Sequence, residues 1–243
     1  MILKYNNRVV THNDRWIDYE NLNPLNLPPY TLRLLYKDNT TPTFAIGTGV
    51  QVSSSPNVWD LTYNGPWTNL LARHTNLLEI LGANSKGITN MYSLCNECSS
   101  LINVALFDTS DVLYFNQMLR GTAITSVPLF NTSNAKQMNY MFSLCYNLIS
   151  VPVFDTSNVV NTQGMFIHCT SLTEVPYFNM TKVTTMPYMF ESCVNVEGGA
   201  LALYQQASNK AILVTHAADA FKDCGINTTT GAAELAQIPD YWK

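Results

Sequence analysis

Apolar residues return at fixed positions along the middle of the chain, with a period of about 24 residues. One position holds phenylalanine in four successive units and alanine in the unit before them. Its members are Ala83, Phe107, Phe130, Phe154 and Phe178. A period of this length predicts a solenoid, in which each unit covers its apolar face with its neighbours.

Other positions of the unit recur with the same spacing. Each unit has a Leu/Ile-x-x-Val segment, which we expect to be extended, and a Met-Phe pair that predicts a short helical turn before a closing residue. The closing residues are Cys98, Thr122, Cys145, Cys169 and Cys193, and a degenerate unit ends at Cys224. The pattern therefore predicts five to six turns.

A polar segment, Asp/Asn-Thr-Ser-Asn in its clearest form, follows the extended part. Its first position holds Asn84, Asp108, Asn131, Asp155 and Asn179. Short side chains of this kind bond to nearby backbone and favour a turn. The alternative is a calcium site, because carboxylate and amide oxygens are the ligands that calcium prefers.

The segment that precedes the array, residues 1–65, lacks the repeat. Residues 1–20 predict one or two strands, and the three prolines in 21–29 predict a linker or extended arm. Further strands are predicted over 30–37, 43–46, 49–53 and 58–63. Residues 1–65 are therefore predicted to form a small antiparallel β domain for docking or oligomerisation.

The C-terminal part departs from the repeat as well. We assign residues 66–226 to the solenoid, with a helical insertion near 199–208, and residues 227–243 to a C-terminal cap with a short helix over 232–238. Trp67 and Trp242 are expected to cover the two ends, since an uncapped stack exposes apolar surface and free edges.

Charge and hydropathy narrow the classes of partner. Charged residues make up 12% of the chain, the net charge is −4, and there is no block of basic residues. We therefore expect neither nucleic acid nor a membrane as partner. The N-terminus lacks the apolar segment of a signal peptide, and no apolar run is long enough to span a bilayer.

The six cysteines are interpreted as reduced, small apolar core residues, because four of them share one position of the unit. Cys95 and Cys98 form a Cys-x-x-Cys motif, but a zinc site needs a second ligand pair and a redox motif needs a βαβ setting. No catalytic or phosphate-binding motif is found. We expect no catalytic residue, no metal, no cofactor and no enzymatic activity.

Tyrosines are the best candidates for a binding surface. Five of them occupy variable positions that the core does not require: Tyr114, Tyr140, Tyr146, Tyr177 and Tyr188. Tyrosines grouped on one face suit contact with protein or glycan. Isolated exposed tyrosines are also ordinary.

The motif Cys-x-x-Leu-x-x-Val-Pro-x-Phe-Asp-Thr-Ser-Asn-Val-x-x-Met-x-x-Met-Phe-x-x-Cys, over about residues 74–224, resembles the BspA-type leucine-rich repeats of bacterial surface proteins. It is most similar to their Asp-Thr-Ser-Asn-Val subfamily of unknown function, found in mycoplasmas and gut bacteria. The departures are Gly82-Ala83, Phe115, Thr122 and Thr162. The resemblance implies a mixed β/α fold: the small N-terminal antiparallel β domain, a leucine-rich-repeat solenoid of five to six turns of about 24 residues, and a helical C-terminal cap. It implies adhesion to host proteins or glycans and no catalysis.

The stretch from Pro28-Pro29-Tyr30 to Trp59-Asp60-Leu61-Thr62-Tyr63 resembles the leader of such arrays in gut Bacteroidales and their phages. This implies a phage virion structural protein: a capsid decoration, a head fibre or a tail-associated fibre, assembled in the bacterial cytoplasm. Other virion proteins would bind residues 1–65, and a homo-oligomer is expected, with a trimer as our guess. The alternative is a bacterial surface or secreted adhesin.

Overall fold

The structure is a computed structural model that describes residues 27–37, 40–209 and 216–243, together with the backbone of three short strands nearer the N-terminus. These strands are β1 (Lys4–Tyr5), β2 (Arg8–Val10) and β3 (Trp16–Asp18), and they form an antiparallel sheet in the order β1-β2-β3. Most of the linker predicted over residues 21–29 lies outside the described residues.

A larger sheet of five strands organises the described part of the chain. Its strands are β4 (Thr31–Tyr36), β5 (Thr48–Ser54), β6 (Asn57–Thr62), β7 (Leu77–Asn84) and β8 (Asn103–Val104). The order is β5-β6-β4-β7-β8. Neighbours are antiparallel except β7 and β8, which are parallel, so the sheet is mixed. Residues 43–46, which the structure describes, do not form the strand predicted there.

Strand β4 is the centre of this sheet, and its side chains alternate between two faces. Leu32, Leu34 and Tyr36 belong to the main core, whereas Leu35 packs in a separate cluster with Val58 and Leu81. Burial on both faces explains why the strand reads as a nearly continuous apolar run. Arg33 pairs with Asp60 of β6 through Nε–Oδ1 and Nη2–Oδ2 contacts, each 2.8 Å long. This bidentate pair fixes the β4–β6 register.

Beyond β8, equivalent segments of successive units are joined by single parallel bridges instead of strands. The bridges pair Asn90 with Tyr114, Tyr114 with Gln137, Gln137 with Asn161, and Asn161 with Thr185. Each segment joined to the next in this way is called a layer below. Aromatic rings stack between layers, as in Phe142–Phe166 (centroids 5.4 Å apart) and Phe166–Phe190 (5.1 Å).

The C-terminal region has two short helices, α1 (Ala200–Ser208) and α2 (Thr229–Leu235). The first lies where a helix was predicted, near 199–208. The second begins earlier than predicted, because the Thr228 side chain accepts a hydrogen bond from the Gly231 N–H and so caps its N-terminus. Trp242, in a final 3₁₀ turn (Asp240–Trp242), stacks on Phe221 at 6.3 Å, whereas Trp67 is wholly buried.

The predicted leucine-rich-repeat solenoid is wrong. The described residues form a mixed five-stranded sheet and two short α-helices, and among them the units after β8 contain no strand. The prolines give the physical reason. In the β7–β8 ladder the Ala105 N–H donates to the Ile80 carbonyl at 2.8 Å. The equivalent residues, Pro128, Pro152 and Pro176, have no N–H, so the ladder cannot continue as strands.

The strands predicted as a small N-terminal antiparallel domain are also not confined to residues 1–65, because β4 to β6 share a sheet with β7 and β8. The domain boundaries themselves stay predictions.

Candidate functional site

The five tyrosines proposed as a contact surface differ in exposure. Tyr146 is 54% exposed and Tyr177 is 64% exposed, whereas the other three are half-buried. The half-buried members are Tyr114, Tyr140 and Tyr188. Tyr140 and Tyr188 share one position of the unit, and each of the others has its own. The five therefore belong to four different columns.

Tyr140 and Tyr188 lie near each other because glycine separates them. Tyr140 covers Gly164 in the next layer, where a Cβ atom would overlap the tyrosine ring. Burial raises the pKa of Tyr140, and the Tyr188 phenol adds a smaller effect in the same direction. This pair is packed against the layers and offers less free ring surface than Tyr146 or Tyr177.

The largest exposed apolar feature of the layers is one that the sequence analysis did not single out. The residue before each buried phenylalanine is apolar and exposed in four consecutive layers. These residues are Leu106 (65% exposed), Leu129 (59%), Val153 (61%) and Tyr177 (64%), and we call them the apolar column. Large apolar side chains seldom line up on a surface unless something contacts them.

A second column runs beside the apolar column, two residues further along each layer. It consists of Asp108, Asn131, Asp155 and Asn179, and we call it the Asx column. Each Oδ1 atom accepts the backbone N–H two residues later, at 2.9, 3.2, 2.9 and 3.0 Å in chain order. These are Asx turns. The Asx turn to Ser110 holds the pKa of Asp108 below its usual value, and hydrogen bonds from Ser157 do the same for Asp155.

Buried threonines hold the layers in register beneath these columns. Thr109 Oγ1 donates to the Asn131 carbonyl at 3.0 Å, Thr132 Oγ1 to the Asp155 carbonyl at 2.9 Å, and Thr156 Oγ1 to the Asn179 carbonyl at 3.2 Å. Each hydroxyl therefore ties its own layer to the Asx residue of the next. The spacing between layers joined by such hydrogen bonds is about 4.8 Å.

The two columns form one surface. In the first three layers burial alternates strictly, so that the apolar residue is exposed, phenylalanine buried, the Asx residue exposed and threonine buried. The fourth layer has the same order, with Asn179 half-buried and Met180 in the threonine position. The exposed residues therefore point outward together. We call the apolar column and the Asx column together the outer face.

The cysteines point the opposite way, into the core, and all six are free and buried. Four thiols donate to a carbonyl of the preceding layer at 2.9 to 3.1 Å. Burial raises the pKa of Cys145 to about 11 and that of Cys224 to about 12. These thiols are therefore protonated and unreactive at neutral pH.

A second polar group lies where the five-stranded sheet meets the first layer. The Tyr36 hydroxyl is 2.6 Å from His74 Nδ1, and Phe44 stacks on the imidazole at 5.7 Å. Burial raises the pKa of Tyr36 and lowers the pKa of His74, so both groups are neutral and the hydroxyl donates to Nδ1. The adjoining cleft of about 190 Å³ is lined by Thr40, Arg73 and their neighbours. The contact between Tyr36 and His74 could not be predicted, because the two residues lie on different elements.

Within the described ranges, no three side chains of His, Cys, Asp or Glu come close enough to hold a metal ion. Asp108 and Asp155 are separated by the Asn131 layer, so their carboxylates are about 9 to 10 Å apart along the stack. That distance is too long for one calcium ion, whose oxygen ligands lie at about 2.3–2.6 Å. None of the helices in the described part of the chain combines the length and apolar composition needed to cross a bilayer.

Comparison with known families gave one match. Residues 86–202 are similar to the family described as "Mycoplasma protein of unknown function, DUF285", and this match covers slightly less than half of the chain. No curated protein matched, and no solved structure matched. The matched residues include the whole outer face.

The expected family is therefore corrected. The motif was taken to resemble BspA-type leucine-rich repeats, but neither a BspA family nor a leucine-rich-repeat family matches the chain. The spacing of leucine and valine suggested such repeats, whereas the described units that follow β8 lack the strand that would define them.

Proposed function

We propose that the protein is a non-enzymatic structural protein of a phage particle, docked through its N-terminal region and presenting the outer face for contact with protein or glycan. The observation that carries the proposal is the outer face itself, where four exposed apolar side chains run beside four hydrogen-bonding side chains. Desolvating the apolar column would favour binding, and the polar column would orient the partner.

The groups beneath this face suit a contact role better than a reactive one. The thiols are buried, and each of the four thiol hydrogen bonds goes to a backbone carbonyl. The hydroxyls of Thr109, Thr132 and Thr156 are likewise used between layers. The face is thus held on a fixed framework, which lowers the conformational entropy lost on binding.

The placement on a particle rests on the leader-like stretch of the sequence. Its first segment contributes β4 and its last contributes β6, which pair directly in the sheet. Strand β5 follows at the edge, where Val50 is 58% exposed and Val52 is 43% exposed. An edge strand with exposed apolar residues and no charge is a natural docking element for another sheet.

A surface or secreted adhesin is the second candidate, and two exposed rings favour it. Tyr146 and Tyr177 offer the free aromatic surface on which a sugar ring can stack. This candidate would use the same layers but would need no virion partner.

Co-purification separates the two. Phage particles from the source culture would be purified on a density gradient and analysed by mass spectrometry, with gold-labelled antibody to locate the chain. We expect the chain in the particle fraction at a constant ratio to the major capsid protein. Its absence from particles, with labelling of intact cells, would reject the particle proposal and support the adhesin.

A further inference from the structure

We propose that the outer face binds the outer face of a second copy of this chain, with the two stacks antiparallel about a two-fold axis. The inference goes beyond the proposed function and does not depend on a place on a particle. It rests on the exposure of the apolar column and on the order of charge along the Asx column.

The arrangement of the two columns selects the direction of pairing. If two copies met face to face with their stacks parallel, a two-fold axis would place the apolar column of one copy against the Asx column of the other. If the stacks run in opposite directions, apolar meets apolar and Asx meets Asx. Only the antiparallel arrangement removes apolar surface from water on both sides.

The Asx column then becomes complementary to itself. Along the chain it reads Asp108, Asn131, Asp155, Asn179. Reversed, it places Asn179 of the second copy opposite Asp108, and Asp155 of the second copy opposite Asn131. Every carboxylate thus faces an amide, which can donate a hydrogen bond to it.

The polar atoms needed for these contacts are not consumed within the chain. Asn131 and Asn179 use Oδ1 in their Asx turns, which leaves the Nδ2 amide as the outward donor. Asp108 and Asp155 likewise use Oδ1, which leaves Oδ2 as the outward acceptor. All of these residues except the half-buried Asn179 are exposed.

The charge order also fixes the register. The two-fold axis passes between the second and third layers, so Leu129 meets Val153 of the second copy and Leu106 meets Tyr177. A shift by one layer would place Asp against Asp and Asn against Asn. Like charges that face each other disfavour that register, which is how a weak interface gains specificity.

The interface is small. Eight residues per copy form it, whereas a standard stable interface uses roughly 20 to 30 residues a side. We therefore expect a reversible dimer with a dissociation constant from about 10 μM to about 1 mM. Such an interface forms where copies are held close together.

The test uses the full-length chain and sedimentation equilibrium up to about 1 mM. Two charge variants are made, Leu129→Lys with Val153→Lys, and Leu129→Glu with Val153→Glu. Both positions are exposed, so we expect both variants to fold, as circular dichroism would verify. Each variant alone should lose self-association by roughly tenfold or more, because like charges then face each other. A 1:1 mixture should dimerise more tightly than the unmodified chain, because the introduced lysines of one variant then face the introduced glutamates of the other.

A conservative swap tests the Asx column separately. Asn131→Asp keeps the Asx turn but places a carboxylate opposite Asp155 of the second copy, and should weaken the dimer about threefold to tenfold. Adding Asp155→Asn restores an amide–carboxylate pair and should restore the affinity. Ile226→Lys is the matched control, because Ile226 is 48% exposed but lies outside the outer face.

Three results would overturn the inference: an unmodified chain that stays monomeric up to about 1 mM, a dimer that is unaffected by lysine at both positions, or complementary variants that fail to pair when mixed.

Discussion

The Sγ atom of Cys169 donates a hydrogen bond to the carbonyl oxygen of Phe142, 3.1 Å away and 27 residues earlier in the chain. The same contact joins Cys145 to Leu119 at 3.0 Å and Cys193 to Phe166 at 3.0 Å. The closing residue of each of these units therefore satisfies a buried carbonyl of the layer before it. In the one unit without cysteine, Thr122 Oγ1 donates to the Leu119 carbonyl at 2.9 Å. A small side chain with a donor is what this position requires.

The thiol hydrogen bond can be measured with a matched pair of variants. Cys169→Thr and Cys169→Val have nearly the same shape, but only threonine carries a donor. Both should destabilise the fold through crowding, and the valine variant should be less stable than the threonine variant by about 1 kcal/mol. Urea unfolding measures both free energies. Equal stabilities would mean that the thiol acts only as an apolar filler.

The buried thiols predict a loss of stability at alkaline pH. Burial raises the pKa of Cys145 from its ordinary 9.0 to about 11, so the folded chain keeps a proton that the unfolded chain has lost. The stabilising effect is complete below pH 9 and declines between pH 9 and 11. The free energy of unfolding should fall by about 1.4 kcal/mol per pH unit for each such thiol.

Urea unfolding at pH 8, 9 and 10 checks this decline, with Cys145→Val as the control. The variant should show a slope smaller by the contribution of one thiol. A slope that the substitution leaves unchanged would show that other groups cause the alkaline loss.

Gly164 should tolerate alanine poorly, for two separable reasons. Its φ of 55° lies in the left-handed region, where a Cβ costs about 1–2 kcal/mol, and the new methyl group would also overlap the Tyr140 ring. We expect Gly164→Ala to cost about 2–4 kcal/mol. In a Tyr140→Ala background the same change should cost only about 1–2 kcal/mol. Thermal unfolding of the four chains measures the coupling, and additive effects would show that the ring does not lie over Gly164.

Calcium should not stabilise the protein. The carboxylates of the Asx column alternate with amides and already accept backbone hydrogen bonds. The melting temperature in about 5 mM calcium should therefore match that in excess chelator, within about 1 °C. A rise of several degrees, lost in Asp155→Asn, would reinstate the calcium alternative.

The buried columns could be predicted from the sequence because a fixed period places equivalent residues in equivalent environments. Phe107, Phe130, Phe154 and Phe178 are all buried, as the pattern required. Helix α1 was likewise visible as a run of alanine and leucine that follows two glycines.

Strand β7 shows why the rest could not be predicted. Leu77 and Ile80 look like the start of an ordinary unit, but their segment pairs with β4, which lies in the part of the chain that precedes the repeats. That pairing depends on tertiary context and leaves no periodic signal. The prolines carried the opposite information. Pro128, Pro152 and Pro176 stand where Ala105 closes the last ladder, and their missing N–H groups argued against a strand in every later unit.

The apolar column was visible in the sequence but was not recognised. Leu106, Leu129, Val153 and Tyr177 each precede a column phenylalanine, and the unit was treated as variable there because the residue types differ. Their shared apolar character was the available signal. Tyr177 was chosen as a candidate for its ring, without the three aliphatic neighbours that give it a context.

Chemical cross-linking of intact particles, read by mass spectrometry, tests the central claim most directly. Lys37 is exposed at the end of β4, in the region proposed to dock, whereas Lys136 and Lys182 lie in the layers and are also exposed. The account predicts cross-links from Lys37 to another virion protein, and none to that protein from Lys136 or Lys182. Particles that contain no peptide of this chain, or in which Lys136 and Lys182 but not Lys37 are linked to the capsid or tail, would contradict it.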